Sequence, residues 1–294
     1  MHIHAIVVLY GQSPDESTTL ESLLECGTQA DFSLTIWDNS PRPHRLSSAL
    51  SFRLESTFGR VVFLQDPSNP GLAKAYNQAA AAMPSECNGW LLTLDQDTRL
   101  PRDFLSALRN ACERDQSNDV ALICPKVQDG ARYVSPMPIK FGFPWPRTEL
   151  RSTGVISGPI SAINSGSCTR VAFLKEVNGY NECYPLDYLD HWLCREVWLR
   201  QWKFDILPIE IQHNLSLNRF DSSVSPERYR QILRAQRQFV VSSPSRLPRY
   251  CHSLQLLSHA VTRSLKAKSR SYARVAWNEL RDFWTQSSST PKEI

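Results

Sequence analysis

The stretch Trp90-Leu91-Leu92-Thr93-Leu94-Asp95-Gln96-Asp97-Thr98 sets two carboxylates one residue apart at the end of an apolar run with strand character. In an open α/β sheet, the carboxyl end of a strand is where ligands bind. Two acids at such an edge repel each other and are costly to desolvate unless a cation or a hydrogen-bond network compensates them. Their hard oxygens suit Mg²⁺ or Mn²⁺, ions that bind best when substrate phosphates complete the coordination shell. Asp95 and Asp97 therefore point to a divalent metal holding a nucleotide diphosphate. The alternative is an ordinary turn, since Asp is common where strands end.

Acidic and polar groups recur at other element ends. Asp38 and Asn39 follow the run Leu34–Trp37. A carboxylate and an amide there can read a base or ribose through hydrogen bonds, or form an Asx-turn into Pro41. Asn69-Pro70-Gly71 precedes a helix, so its backbone amides and the helix dipole can face phosphate. An ordinary N-cap with Pro just inside is the plainer alternative. Lys74 and Asn77 lie about one turn apart on that helix. A second acidic segment reads Asp187-Tyr188-Leu189-Asp190-His191-Trp192. Asp187 is placed to cap a helix carrying Leu193, Val197 and Leu199, with Asp190 in the first turn, where the helix N-terminus favours an ionised acid. Such a carboxylate can serve as general base toward a nearby nucleophile, or can be an N-terminal Asp with no further role. His213, between Ile211 and Leu215, is a candidate metal ligand, set against the commoner structural histidine.

Alternating elements position these groups. Strands are expected at Ile3–Leu9, Leu34–Trp37, Val61–Leu64, Trp90–Leu94 and Val120–Cys124, with helices at Asp15–Glu25, Leu72–Met83 and Pro101–Arg114. Strands separated by helices imply βαβ units and a mostly parallel sheet. From Gln128 to Gly158 prolines break the pattern, and Phe141, Phe143 and Trp145 supply aromatics that can stack on an acceptor sugar or cover the core. Order resumes at Ile160–Asn164, helix Arg170–Val177, helix Leu189–Gln201 and strand Phe204–Pro208. Beyond His213 the chain is expected to be helical, at Glu227–Val240 and roughly Ser253–Thr285.

A chain of 294 residues accommodates one large α/β domain with a helical appendage. Its net charge of +4 is modest, but Arg246, Arg249, Arg263, Lys266, Lys268, Arg270, Arg274 and Arg281 crowd the C-terminal region. That tail suits an anionic surface or a solvated helix face. With Leu254, Leu256, Leu257, Val261, Leu265 and Trp284 among its basic residues, it has the pattern of an interfacial helix. The eight cysteines include no C-x-x-C pair; Cys26, Cys112, Cys124 and Cys194 read as reduced core thiols. No basic leader and apolar core precede the first strand, which argues against a signal peptide. No apolar run approaches the ~18–20 residues needed to span a bilayer. The expected location is the cytoplasm, soluble or peripheral at the inner face of the cytoplasmic membrane.

Taken in order, strand-D-N-S, N-P-G-L-A-x-A-x-N, L-D-Q-D-T, N-S-G, L-D-Y-L-D-H and a late His resemble the family 2 inverting glycosyltransferases, in particular the rhamnosyltransferase-like and galactofuranosyltransferase-like members. The likeness runs from about Ile3 to His213. It implies a GT-A fold over 1–215, with a nucleotide-sugar half (1–125) and an acceptor half (126–215), followed by a helical extension over 216–294. It also implies a nucleoside-diphosphate sugar donor, UDP- or dTDP-linked, a divalent cation, and a glycan or lipid-linked glycan acceptor in bacterial surface-polysaccharide synthesis such as that of O-antigen. No nucleic-acid partner is implied. By the resemblance, Asp38 contacts the nucleoside and Asp95 the ribose or a metal-bound water, while Asn39, Asn69, Gly71, Lys74 and Asn77 stand as further candidates for binding the nucleotide sugar. Asp97 and His213 bind the metal, with Asp95 beside them. Ser165 and Gly166 lie near the transferred sugar. Asp190 aligns with the catalytic base, with Asp187 as the second candidate.

Three positions depart from the family pattern. Tyr10-Gly11 replaces the usual Asn-containing turn after the first strand. Trp192 stands where an acid often follows the base by two positions. Arg200-Gln201-Trp202 does not match the Q-x-x-R-W of processive synthases, which favours a single-transfer enzyme. A phosphatase of the haloacid dehalogenase type also places D-x-D after a strand, but it calls for Thr or Val where Arg99 stands. A non-catalytic sugar-nucleotide or glycan-binding protein, or an assembly scaffold, is the alternative from another class.

Overall fold

Short, nearly continuous apolar runs build the N-terminal half, and the first two lead into side-chain-capped helices. Strand β1 (His2–Leu9) is buried on both faces from Ile3 onward, as an interior strand of a parallel sheet must be. Ser17 caps α1 (Thr18–Glu25) by accepting the Leu20 amide, and Ser47 caps α2 (Ser48–Thr57) through Leu50. Each cap satisfies an N–H that the helix itself leaves unpaired. The computed structural model describes residues 2–83, 89–144, 148–150, 152–213, 224–265 and 270–287. Trp145, Lys266 and Lys268, named above, lie outside them.

The succeeding elements are β2 (Gln29–Asp38), β3 (Phe58–Gln65), α3 (Leu72–Ala81), β4 (Gly89–Asp95), β5 (Thr98–Arg99), α4 (Phe104–Arg114), β6 (Val120–Asp129) and β7 (Arg132–Ser135). Then come β8 (Met137–Lys140), β9 (Phe143–Pro144), β10 (Gly154–Ile156), β11 (Ile160–Ser161), β12 (Ser167–Arg170), α5 (Val171–Glu176), α6 (Leu189–Leu199) and β13 (Lys203–His213). The main sheet runs β10-β13-β6-β12-β4-β1-β2-β3, with β5 on β13 and β7 on β6. Strands β3, β2, β1 and β4 are parallel, β13 is parallel to β6, and β12 runs antiparallel between β4 and β6.

The register brings the chemistry to one edge. Leu9 pairs with Asp38 and Val8 with Asp95, so the carboxyl ends of β2 and β4 flank the end of β1. Because β12 is antiparallel to β4, with Ser167 opposite Thr93, the residues entering it arrive at that same edge. Across β13, His213 is the partner of Thr98 on β5. An open α/β sheet collects its ligands at such an edge.

The structure differs from the expected elements in four places. Helix α2 lies in a stretch with no expected element; only Leu50 and Leu54 of it are buried, too few to give a strong periodic signal. Strand β6 continues to Asp129 and turns through Gly130 into β7, so part of the proline-broken segment is sheet. Strand β12, Ser-Cys-Thr-Arg, is buried throughout and carries no alternation for sequence reading to catch. The long basic helix expected over Ser253–Thr285 is two helices, Leu247–Ser264 and Arg270–Ser287, which pack on each other.

The chain divides into two compact units, Met1–Pro138 with Pro144–Asn214, and Ile139–Phe143 with Leu215–Ile294. The second contains α7 (Pro226–Val241), α8 (Leu247–Ser264) and α9 (Arg270–Ser287) around Tyr229, Leu233, Leu256, Ala260, Val275 and Ala276. The Arg263 guanidinium covers the Tyr229 and Tyr272 rings at 5.1 and 5.4 Å. Leu256 points into this cluster, while Leu247, Tyr250, Leu254, Leu257, Val261 and Leu265 form an exposed apolar row on α8. Among the described residues, no helix is long and apolar enough to cross a membrane. The seven described cysteines are free, with Cys112, Cys124, Cys168 and Cys194 buried.

One buried charge fixes β12 in place. Arg170, 2% exposed, is ion-paired with buried Asp115, donates through Nε to the Val120 carbonyl at 2.9 Å, and stacks 4.2 Å over the Trp90 ring. Removing one member of a buried pair leaves the other charge uncompensated, at a cost of about 3–5 kcal/mol. Arg170→Met is expected to lower the unfolding free energy by about that amount in urea denaturation; a loss below ~1 kcal/mol would mean that Asp115 finds another partner or water.

Candidate functional site

The turn after β4 is wired from behind by the start of α1. Thr19 Oγ1 donates to the Asp95 carbonyl at 2.5 Å and accepts the Thr98 amide at 2.9 Å. Ser17 Oγ and the Thr19 amide both donate to the Gln96 carbonyl, at 2.9 and 3.3 Å. Gln96 turns outward, its side-chain oxygen accepting the Tyr10 amide at 2.7 Å and its side-chain nitrogen donating to the Tyr10 carbonyl at 3.2 Å. The Tyr10-Gly11 turn is thus clamped to the acidic motif. With these main-chain groups satisfied, the Asp95 and Asp97 side chains are left to face His213.

Asp95, Asp97 and His213 each offer one ligand atom, all within 4.8 Å of one another. His213 Nε2 lies 3.6 Å from Asp95 Oδ2, and Nδ1 lies 3.4 Å from Asp97 Oδ1. Burial pushes the Asp95 carboxyl up to about 6; His213 pulls it back, while the Asp97 and Asp190 charges push it further. Protein crowds the group, although 31% of its side chain stays exposed. An anion held there against its own desolvation is what a cation relieves. Two carboxylate oxygens and an imidazole fit Mg²⁺ or Mn²⁺, and they leave coordination positions for phosphate oxygens.

Ser165 and Gly166, expected near a transferred sugar, are hydrogen-bonded to the strand that ends in this cluster. Ser165 Oγ accepts the Asp95 amide at 3.0 Å, and the Gly166 amide donates to the Thr93 carbonyl at 2.8 Å. Asp190 stands in the first turn of α6, where its Oδ1 accepts the His191 amide at 2.7 Å. His191 Nδ1 in turn meets Ser161 Oγ at 2.6 Å. Asp187 does not cap this helix as expected: the N-cap is Tyr188, in the left-handed region at φ 65°, with no side-chain cap bond.

The remaining expected residues are engaged elsewhere. Asp38 and Asn39, expected to face a nucleoside, are buried. Asp38 Oδ1 accepts the Ser40 amide at 2.9 Å and Oδ2 the His44 amide at 2.8 Å, while Asn39 Oδ1 accepts the Trp37 indole N–H at 2.6 Å. Burial raises the Asp38 carboxyl, but the Ser40 and His44 hydrogen bonds outweigh it and hold it low. The geometry is that of the Asx-turn alternative. Lys74 lies 3.9 Å from Asp66, an exposed and weak pairing. Asn77 spends its amide on a neighbouring loop: Oδ1 accepts the Tyr180 amide at 2.7 Å, and Nδ2 donates to the Tyr180 carbonyl at 2.9 Å and to Glu182 at 3.2 Å. The amide of Leu72, at the start of α3, donates to the Pro185 carbonyl at 2.6 Å, so a protein carbonyl holds that N–H where phosphate was expected. Asn69 sits in the left-handed region at φ 48°.

Three contributors were missed by sequence reasoning. Thr98 and Gln96 stood inside the quoted acidic motif, where only the acids drew attention. Tyr76, within the N-P-G-L-A-x-A-x-N stretch, is fully buried, and its hydroxyl has no hydrogen-bond partner among the described residues. Burial first, then the Asp95 charge and lesser contributions from Tyr180 and Asp190, keep its phenol protonated.

Residues 5–170, more than half of the chain, match the model of glycosyl transferase family 2. No curated protein sequence matches the chain. Among solved structures it is similar to S. aureus TarS, with TM-score 0.55 and 14% identity, covering 95% of this chain and 55% of that one. It is similar to residues 1–349 of TarS in complex with UDP-GlcNAc, with TM-score 0.53 and 13% identity over 96% of this chain and 92% of that one. It is also similar to GalNAc-T7 with UDP, GalNAc and Mn²⁺, with TM-score 0.59 and 11% identity over 96% and 55% of the two chains. The chain spans about half the length of the first and third of these. At such identities the likeness is one of fold, and the mostly parallel sheet with its flanking helices is the GT-A arrangement expected from the motif order.

Gly71 couples α3 to the segment that carries the second acidic group. It lies at φ 94° and ψ 176°, a region essentially confined to glycine. A Cβ there would meet the Pro185 carbonyl oxygen at 2.5 Å, two residues before Asp187. Gly71→Ala is expected to cost about 1–3 kcal/mol of stability and to displace the 185–190 segment. Thermal unfolding together with a donor-turnover assay checks this; an unchanged melting temperature would show that the turn relaxes freely.

Proposed function

This chain belongs to glycosyl transferase family 2, and on that premise we propose that it transfers one sugar from a nucleoside-diphosphate donor to an acceptor hydroxyl with inversion at the anomeric carbon. The observation that carries the reading is the Asp95, Asp97 and His213 cluster with Asp190 near enough for its charge to act on Asp95. The acceptor hydroxyl gives its proton to Asp190 as its oxygen attacks the anomeric carbon. The bond from that carbon to the diphosphate breaks on the opposite face, and the electron pair leaves with the diphosphate. Asp190 Oδ1 is held by the His191 amide, which leaves Oδ2 to take the proton. A divalent cation, Mg²⁺ or Mn²⁺, bound by Asp95, Asp97 and His213 would supply the charge that steadies the departing diphosphate.

The motif order supports rhamnose, galactofuranose or a similar sugar as the transferred group, with a UDP- or dTDP-linked donor. It also supports a glycan or lipid-linked glycan acceptor of surface-polysaccharide synthesis, handled at the cytoplasmic face of the membrane. The exposed row on α8 supports attachment to that surface. Replacing Leu254 and Leu257 by Glu is then expected to abolish cosedimentation with anionic vesicles; sedimentation equal to wild type would remove the membrane from this reading.

Asp190→Asn tests the chemistry. General-base assistance contributes roughly 10²–10⁴-fold, so turnover is expected to fall by that factor. Stabilisation of the protein by a nucleotide sugar with Mn²⁺, read by thermal shift over a donor panel, should survive the substitution. Turnover near the wild-type rate in the variant would take the base assignment away from Asp190.

A further inference from the structure

We propose that Thr98 is the positioning residue that makes His213 a metal ligand, by accepting the Nδ1 proton and so presenting Nε2 to the cation. The inference rests on the metal reading of the Asp95, Asp97 and His213 cluster. Thr98 and His213 are direct cross-strand partners between β5 and β13, and both side chains are buried. Thr98 Oγ1 lies 3.1 Å from His213 Nδ1 and 2.5 Å from Ser165 Oγ. Asp97 Oδ1 stands farther from Nδ1, at 3.4 Å, which frees that carboxylate for the cation. Nε2 is the ring nitrogen turned toward Asp95.

Proton bookkeeping decides the direction of this chain. A neutral imidazole carries one N–H and one lone pair, and a metal needs the lone pair. When Nδ1–H donates to Thr98, Nε2 is bare. The Thr98 hydroxyl then donates its hydrogen bond to Ser165 Oγ, which already accepts the Asp95 amide. Both Ser165 lone pairs are thereby filled, and its own hydroxyl proton is the one left for a ligand. The reverse arrangement, with Thr98 donating to Nδ1, would put the imidazole proton on Nε2 and shut out the ion. A hydroxyl in this role is a counterpart of the outer partners that orient metal-bound histidines, whose loss typically weakens metal binding 10–100-fold.

The test uses the whole 294-residue chain and Mn²⁺ alone, with free Mn²⁺ read by electron paramagnetic resonance. Thr98→Val keeps the shape and removes the hydroxyl; it is expected to weaken Mn²⁺ binding roughly 10–100-fold, and Thr98→Ser should restore it. Asp97→Asn should abolish saturable binding. An independent measurement on the wild-type chain avoids any folding defect: with Mg²⁺ bound, ¹⁵N spectra should show the His213 proton on Nδ1. Wild-type Mn²⁺ affinity in folded Thr98→Val, or a proton on Nε2 in the Mg²⁺-loaded protein, overturns the inference. Wild-type protein that binds Mn²⁺ no better than Asp97→Asn overturns the metal reading itself, and this inference with it.

Discussion

Charge compensation at the end of β4 is the constraint around which the first unit is arranged. Asp95 is pressed into protein, with Asp97 close by and Asp190 near enough to raise its proton affinity. Such a grouping is stable only when the surroundings or a bound cation balance it. The fold meets part of the demand by tying down the turn through its neighbours. Thr19 and Ser17 take its carbonyls, Ser165 receives an amide, and Gln96 leaves to hold Tyr10. The carboxylates are therefore spared from structural duty.

Elsewhere the molecule treats charge the opposite way. Arg170 and Asp115 neutralise each other inside the core, with the Trp90 face closing the third side. That pair holds β12 between β4 and β6, and β12 is the strand that Ser165 and Gly166 lead into. A closed ion pair thus supports an open acidic cluster. Close backbone approach serves the same end: a side chain at Gly166 would press on Ile211 and Pro125, just before the end of β13.

Much of this was legible in the residues. Continuous apolar runs such as Ile3–Leu9 announce interior strands, and acids at their ends mark the edge where Asp95 and Asp97 stand; His213 joins them in the sequence only through the family resemblance. Asp38 and Asn39 were less readable, because an Asx-turn and a base-binding pair use the same residue types. Asn77 was opaque for a different reason. Its partners, Tyr180 and Glu182, are about a hundred positions away, and no local pattern reports a loop that tertiary packing delivers. Strand β12 hid because Ser-Cys-Thr-Arg, buried on both faces, has neither alternation nor an apolar run. Thr98 hid beside acids that drew the eye.

The pairing of β5 with β13 carries one more implication. His213 and Thr98 meet across a sequence separation of 115 residues, so His213 stands beside the two acids only while the 203–213 strand is paired. An ion gripping both ends would act as a reversible cross-link, closing a long loop whose entropy is otherwise held by strand pairing alone. The cluster would in that sense be a clasp on the end of the sheet. Occupancy by an ion would then depend on the 203–213 strand being seated, and chelation would loosen the terminus of that strand.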